Sequence, residues 1–479
     1  MIKAHSKTLY WAESAAVLYL TAPLFLFFCF YIRPEIGLPG SGVIAFCLYQ
    51  ITRKTHWSRI QQDAKSLSAL LPIAAVWLVL AGNFGGLSQN SDWLKHYAVI
   101  NFIATHADSL SDIHNGHLEV LRHYLGWYLI PGFAVKIAHG HGQMFFSACW
   151  TLIGLVIFFS LMTHLLESNV KRAYLIGPLV FILFSGADIV GFFITHFALP
   201  IMRFSLVWWA GWVEYSPSTA SLFWTPQHAL PAWLGITLLM HQLKKPCLLP
   251  YFILIGSAIF FWSPFAMIGL LPFALFIVIR AGLKASLSST LPPVIALFIA
   301  LPIAAYLMAY TKDIPHGPIW QHPWIWDPAL HFTWFRYMVF LLLEVALPLA
   351  ILFAEKGRRD PFLVIAALSL IFIPLYRIGI FNDFAMRASL PALAFLSIEI
   401  ARMMGSHASP RHLKMAIIVM LIIGAPTPLG EIARGFFRPY APIHPDITFN
   451  VPFIWNTPAF RPQYFSSQPI FLLRHETSQ

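Results

Sequence analysis

Four groups of polar residues in this chain have types and spacings that can do chemistry. In Ser91-Asp92-Trp93-Leu94-Lys95-His96-Tyr97 a carboxylate precedes a lysine by three residues and a histidine by four, so all three share one face if a helix begins there. A carboxylate beside two potential cations stays ionised and can be aimed into a cleft. A plainer reading makes Ser91 or Asp92 a helix N-cap and the other two an ordinary polar face. The second group is Arg122 with His123, Tyr124 and Tyr128. A guanidinium fork suits a phosphate. An arginine reaching for lipid headgroups beside an aromatic belt has the same composition. The third group is Asp188, His196, Arg203 and Glu214, in a stretch holding Trp208, Trp209 and Trp212 and followed by Trp224-Thr225-Pro226-Gln227-His228. Indole faces with hydroxyl and amide donors suit a sugar ring; a membrane interface also collects tryptophan. The fourth is Arg377 with Asn382-Asp383-Phe384-Ala385-Met386-Arg387. An ion pair of Asp383 with one arginine leaves the other for a phosphate. His139 and His141 form a His-x-His on a glycine-rich turn, without a further ligand at metal spacing, so no metal site is expected.

These groups sit in a chain of 479 residues that is 58% apolar and 11% charged. Soluble domains carry about 25% charged residues. So few charges cannot cover a soluble surface, which excludes a soluble enzyme, a disordered chain and a nucleic-acid binder. The net charge of +11 then reflects basic loops and contact with anionic lipid. Cys29, Cys47, Cys149 and Cys247 lie in or beside apolar runs and read as small core residues.

Apolar runs long enough for a membrane helix fall at 14–32, 35–51, 67–84, 144–164, 173–190, 226–242, 247–262, 266–280, 290–310, 335–355, 362–378, 387–403 and 415–428. The expected fold is therefore an all-α polytopic membrane protein of about thirteen spans, the first a signal anchor. Residues 118–138 are apolar but interrupted by Arg122, His123, Gly126, Pro131, Gly132 and Lys136. Placing them on the outer face, not across the bilayer, puts the basic loops on one side. Those loops hold Lys3, Lys7, Arg53, Lys54, Arg59, Lys65, Lys171, Arg172, Lys244, Lys245, Arg280, Lys284, Lys356, Arg358, Arg359, Arg402, Arg411 and Lys414, eighteen of the 31 basic residues. The positive-inside rule then sets the N-terminus in the cytoplasm and the C-terminus outside. Residues 1–66 form two spans and a basic inner loop, and 67–428 form the core with outer connections 85–143, 191–225 and 311–334. Residues 429–479 form a proline- and aromatic-rich outer tail that packs over that face. Trp93, Tyr97, Ile100 and Ile103 would lay the 92–105 segment on the membrane as an interfacial amphipathic helix.

Together these features resemble the GT-C superfamily of polytopic membrane glycosyltransferases. The likeness lies in an acid just outside an early span, an amphipathic first large outer loop, and Tyr124-Leu125-Gly126-Trp127-Tyr128-Leu129-Ile130-Pro131, which is similar to a Tyr-Leu-x-x-Tyr-Leu-x-Pro surface segment. The strings around Asp92, Gln227-His228 and Asp383-Arg387 are similar to ones in bacterial membrane proteins of this type. Two departures stand out. The acid follows the third span where the first is usual, and no second acid adjoins Asp92, so Asp188 or Glu214 would have to substitute.

The resemblance implies an enzyme of the bacterial inner membrane. Asp92 is then the general base on an acceptor hydroxyl, with Asp188 and Glu214 as further catalytic candidates. The donor is a polyprenyl-phosphate-linked sugar, transferred with inversion to a glycan, lipid or protein acceptor. Lys95, His96, Arg122, Tyr124, Arg203, Gln227, His228, Arg377, Asp383 and Arg387 would contact substrate or phosphate. No resident cofactor is implied, although a divalent cation is compatible. Two other readings stay open: a polysaccharide polymerase or ligase using lipid-diphosphate donors, and a transporter or flippase for lipid-linked sugars.

Overall fold

The computed structural model describes residues 9–106, 109–114, 117–166, 173–196, 205–211, 213–244, 246–282, 293–309, 311, 314–321, 333–357, 360–437, 444–449 and 461–474. It is mostly helical, at 73%. A helix satisfies its own backbone hydrogen bonds, which an apolar run needs where water is absent. Among the described residues, Trp11–Phe30, Gln143–Leu165, Tyr174–Thr195, Pro264–Ala281, Trp334–Lys356, Asp383–Gly405 and Arg411–Phe437 are long and apolar enough to cross a membrane. Leu67–Leu80, Leu249–Trp262, Leu297–Met308 and Pro361–Leu375 are shorter apolar helices. The outer helices expose apolar stripes at helical spacing, such as Met415, Val419 and Ile422, as lipid-facing surfaces do. The set is compatible with a multi-pass membrane protein.

Two helices form the centre. Trp11–Phe30 turns sharply into Pro34–Arg53 and packs on Phe252–Trp262 and Gln143–Leu165. Pro226–Lys244 is apolar on nearly every side and correspondingly buried; it packs on Gln143–Leu165, Pro264–Ala281 and Leu390–Gly405. Trp233 stacks on Trp77 at 5.9 Å.

Two expectations are corrected here. The fold is not purely helical: β1 (Ser111–His114), β2 (His117–Leu121) and β5 (Phe465–Ser466) form one small sheet, and β3 (His316–Pro318) pairs with β4 (Tyr376–Ile378) in another. The 92–105 helix is not interfacial. Trp93, Tyr97, Ile100 and Ile103 are fully buried in protein, as are Ala98 and Val99 on other faces. Apart from Asp92 at its start, the helix is enclosed by protein, and its polar Lys95, His96 and Asn101 are buried too, so it has no broad wet face to leave at an interface. It packs instead on Leu129–Ile137, where Gly132 admits Ile103: a Cβ there would meet the Ile103 side chain at 2.5 Å. The helix Pro426–Phe437 leads from the last long apolar run into the tail. Further along the tail, β5 pairs with β2 at Val120 and Leu121, and the Arg474 guanidinium donates to the carbonyls of Cys29 and Ile32.

Candidate active site

Asn90 starts the Asp92–Thr105 helix by accepting the Asp92 N–H on its side-chain oxygen at 3.0 Å. The carboxylate of Asp92 is thereby free of capping duty. It faces a cavity of about 970 Å³ lined from many parts of the chain. Arg122, His123 and Tyr124 enter it from the turn after β2. Trp208 and Glu214 come from the loop before the Ser218–Trp224 helix, and His228 from the start of Pro226–Lys244. Asp383 and Arg387 come from the short helix Asp383–Ala388, and Tyr464 from the tail.

Among the described residues, two ion pairs have both members in the lining of this chamber. Lys95 Nζ donates to Asp92 Oδ2 at 3.0 Å; the lysine side chain is only 8% exposed, while that of Asp92 remains 35% exposed toward the cavity. Burial pushes the Asp92 carboxyl up, but the surrounding positive charges, Lys95 first among them, and the Lys95 hydrogen bond together hold it below the usual range. Burial opposes the Lys95 ammonium, but Asp92, helped by the nearby Tyr464 and Tyr124, raises it above the usual range. Arg387 pairs with Asp383 Oδ1 at 2.5 Å. The close fit depends on Gly379, whose φ of +86° suits the turn and whose hydrogen leaves room for the Asp383 carboxylate.

Glu214 is 5% exposed. Its Oε1 accepts from the Ser216 hydroxyl at 2.5 Å, and its Oε2 has no hydrogen-bond partner among the described residues. Burial pushes its carboxyl up to about 7. His228 Nδ1 meets the Ser263 hydroxyl at 2.7 Å, and its Nε2 is likewise without a described partner. The Tyr124 ring stands edge-on to the His228 ring, 4.5 Å away.

Not every expected residue reaches the chamber. His96 does not line it: one ring nitrogen meets the Trp224 carbonyl at 2.9 Å and the other the Tyr128 hydroxyl at 2.8 Å. The carbonyl only accepts, so Nε2 carries the proton and Nδ1 takes the tyrosine hydrogen. Burial, then the charge of Lys95, pulls its pKa to about 3. His96 is a neutral brace and not a phosphate cation. Arg377 also lies off the cavity, donating to the carbonyls of Gly379 at 3.1 Å and Ile380 at 2.6 Å. Of the two arginines in this group, the one that faces the chamber is the ion-paired Arg387. Asp188 lies outside it, accepting from Ser185 at 2.8 Å and Thr427 at 2.9 Å. Gln227 is fully buried and does not line the cavity either. Arg203 lies outside the described residues, as does the side chain of His196.

The structure adds Glu431 and Tyr464 to the lining. Glu431 is held by Arg434, by Trp224 Nε1 at 3.0 Å and by the Ser205 hydroxyl at 3.1 Å. Its signal in the sequence was an acid within a short helical run just after the last apolar stretch. Tyr464 had only the aromatic richness of the tail to mark it. At the His-x-His turn, among the described residues no group of three or more His, Cys, Asp or Glu is arranged to hold a metal ion.

The far wall is apolar, with Phe260, Phe265 and Leu307. Ile268 and Met308 line the cavity yet are 42% and 65% exposed. The chamber therefore reaches the outer apolar surface between the helices Pro264–Ala281 and Pro293–Met308. Polar chemistry at one end and an apolar side exit at the other suit an amphiphile with a charged head. No family model, curated protein or solved structure matches this chain. The site's own geometry therefore carries the functional argument.

Proposed function

We propose that this protein is an integral-membrane glycosyltransferase that moves a sugar from a polyprenyl-phosphate donor to an acceptor on the extracytoplasmic face. The observation that carries the reading is the joining of an ionised carboxylate, Asp92, with Lys95, Arg122 and Arg387 in one chamber that opens sideways past Ile268 and Met308. The prenyl chain lies in the apolar exit and the phosphate turns to the cations. The acceptor oxygen bonds to the anomeric carbon as the carbon–oxygen bond to phosphate breaks. The phosphate leaves with that electron pair, and the acceptor's proton passes to Asp92. The cations stabilise charge developing on the phosphate. The tryptophan and tyrosine faces at Trp208, Trp224 and Tyr464 suit the sugar.

In this reading the seven long helices, the four shorter ones, Pro34–Arg53 and Pro226–Lys244 are thirteen crossings in a GT-C-like arrangement. The N-terminus lies in the cytoplasm of a bacterial cell, and the chamber faces outward.

The test is purified protein in liposomes carrying a radiolabelled polyprenyl-phosphate sugar. Label should pass from the lipid to an added glycan, lipid or protein acceptor fraction. Use of diphosphate donors alone would favour a polymerase or ligase, and movement of intact donor across the bilayer without transfer would favour a flippase. A narrower side exit gives a second check. Met308→Trp should raise the donor KM about tenfold and leave kcat nearly unchanged, since it obstructs entry and not the transition state.

A further inference from the structure

Behind Glu214 lies an acidic group that the transfer chemistry does not use. Asp188 begins the helix Asp188–His196, directly after a break in the apolar run. Glu344 sits in a π-turn, Leu342–Ala346, that interrupts the neighbouring helical run. Both are buried and hydrogen-bonded to each other. Two buried carboxyls this close repel each other when both are charged and are best accommodated when they share a proton. Trp209 Nε1 donates to Glu344 Oε1 at 3.0 Å, and Ser185 and Thr427 donate to Asp188. The approach is built into the backbone: a Cβ on Gly186 would stand 2.0 Å from Glu344 Oε2. A void of about 10 Å³, roughly one water in size, lies between Ser216 and Glu344. Ser216 in turn donates to Glu214, which lines the main cavity. Ionisable groups at this depth are costly to keep and mark function.

Glu214 has one oxygen engaged and one without a described partner, and it shares the cavity with the cations proposed to hold phosphate. The groups facing it are Asp188 and Glu344 from behind, and Asp383 with Arg387 from the helix Asp383–Ala388. An ionised Glu214 would repel an anion in the same chamber; a protonated Glu214 would offer it a hydrogen bond.

We infer that an anionic ligand enters this cavity together with a proton, which Glu214 takes up from solvent, and that the Asp188–Glu344 pair behind it tunes that uptake. The inference rests on the reading that the ligand carries a phosphate. One O–H bond forms on Glu214, and no other bond changes. Because burial already holds Glu214 near 7, the uptake falls in the neutral range. Below that range Glu214 is neutral and binding is independent of pH; above it each step of alkalinity weakens binding.

The test is calorimetry on the full chain in detergent, with citronellyl methyl phosphate as the probe, a diester whose single charge is constant across the neutral range. Titrations in two buffers of different ionisation heat count the protons taken up. The wild type should take up close to one proton per ligand on the alkaline side. Its Kd there should rise by nearly tenfold per pH unit. Glu214→Gln should bind with neither uptake nor pH dependence. Asp188→Asn combined with Glu344→Gln removes the charge behind Glu214 and should move the onset of weakening to lower pH. Binding of the diester by wild type without proton uptake overturns the inference and leaves the phosphate reading standing, as does uptake that survives in Glu214→Gln. Equal binding of uncharged citronellol overturns the phosphate reading itself.

Discussion

Replacing Asp92 by Asn should cut sugar transfer by about 10²- to 10⁴-fold, the range for loss of a positioned general base, while the lipid donor still binds. The substitution is nearly isosteric, and the helix start does not depend on the side chain, because Asn90 caps it. What disappears is a negative charge and a proton acceptor. Lys95 loses its carboxylate partner, so the chamber becomes more positive and an anionic donor should bind as well or better. The expected pattern is a large fall in kcat with KM unchanged or lower, the opposite of a folding defect. Asp92→Glu should recover part of the rate. The sign of the pH dependence also follows. Since the surrounding cations, Lys95 foremost, together hold the Asp92 carboxyl below the usual range against the effect of burial, the base is ionised throughout the neutral range. Its protonation should depress activity only on the far acid side. Full transfer by the Asn variant, assayed as radiolabel moved per minute in liposomes, would remove Asp92 from the chemistry; a flippase would be indifferent to the change.

What could be read along the chain was what depends on near neighbours. Asp92 and Lys95 are three apart and Asp383 and Arg387 four apart, and both spacings end as ion pairs in one cavity. The helices lie on the apolar runs because such runs have one way to satisfy their backbone. What could not be read depends on partners distant in sequence. His96 has the right spacing for a cation, but its role is decided by the Trp224 carbonyl and the Tyr128 hydroxyl, which leave it neutral. Asp188 was marked as an acid in an apolar run, yet Glu344 and Thr427 draw it behind the chamber wall. Arg377 and Arg387 were equivalent on paper; the turn's carbonyls claim the first. The 92–105 helix carried a usable signal that the stripe of Trp93, Tyr97, Ile100 and Ile103 obscured: beyond His96 its second half is apolar on nearly every face, which fits an interior position better than an interface. The strands are too short for a periodic pattern, and β5 finds its partner across most of the chain.

Arg387 offers the strongest separation of structural from chemical roles. Arg387→Gln should lower transfer by about 10²- to 10³-fold, the cost of removing one preorganised donor from developing charge. It should also destabilise the fold, because Asp383 is left with its charge uncompensated in a site where both side chains are 14% exposed. Stranding one member of a buried pair costs about 3–5 kcal/mol, and the lower end is expected where a cavity admits water. Asp383→Asn does the reverse: it releases the guanidinium, so phosphate binding should hold or tighten while stability falls. The double variant removes both charges and should regain most of the lost stability without regaining transfer. Thermal unfolding of the detergent-solubilised protein reads the first effect, and the liposome assay the second. Recovery of transfer in the double variant would make Arg387 a partner for Asp383 and nothing more. Failure of the double variant to regain stability would mean that the short helix Asp383–Ala388 needs the pair for its position against Gly269, where it packs so closely that a Cβ would meet the Ala388 carbonyl at 2.0 Å.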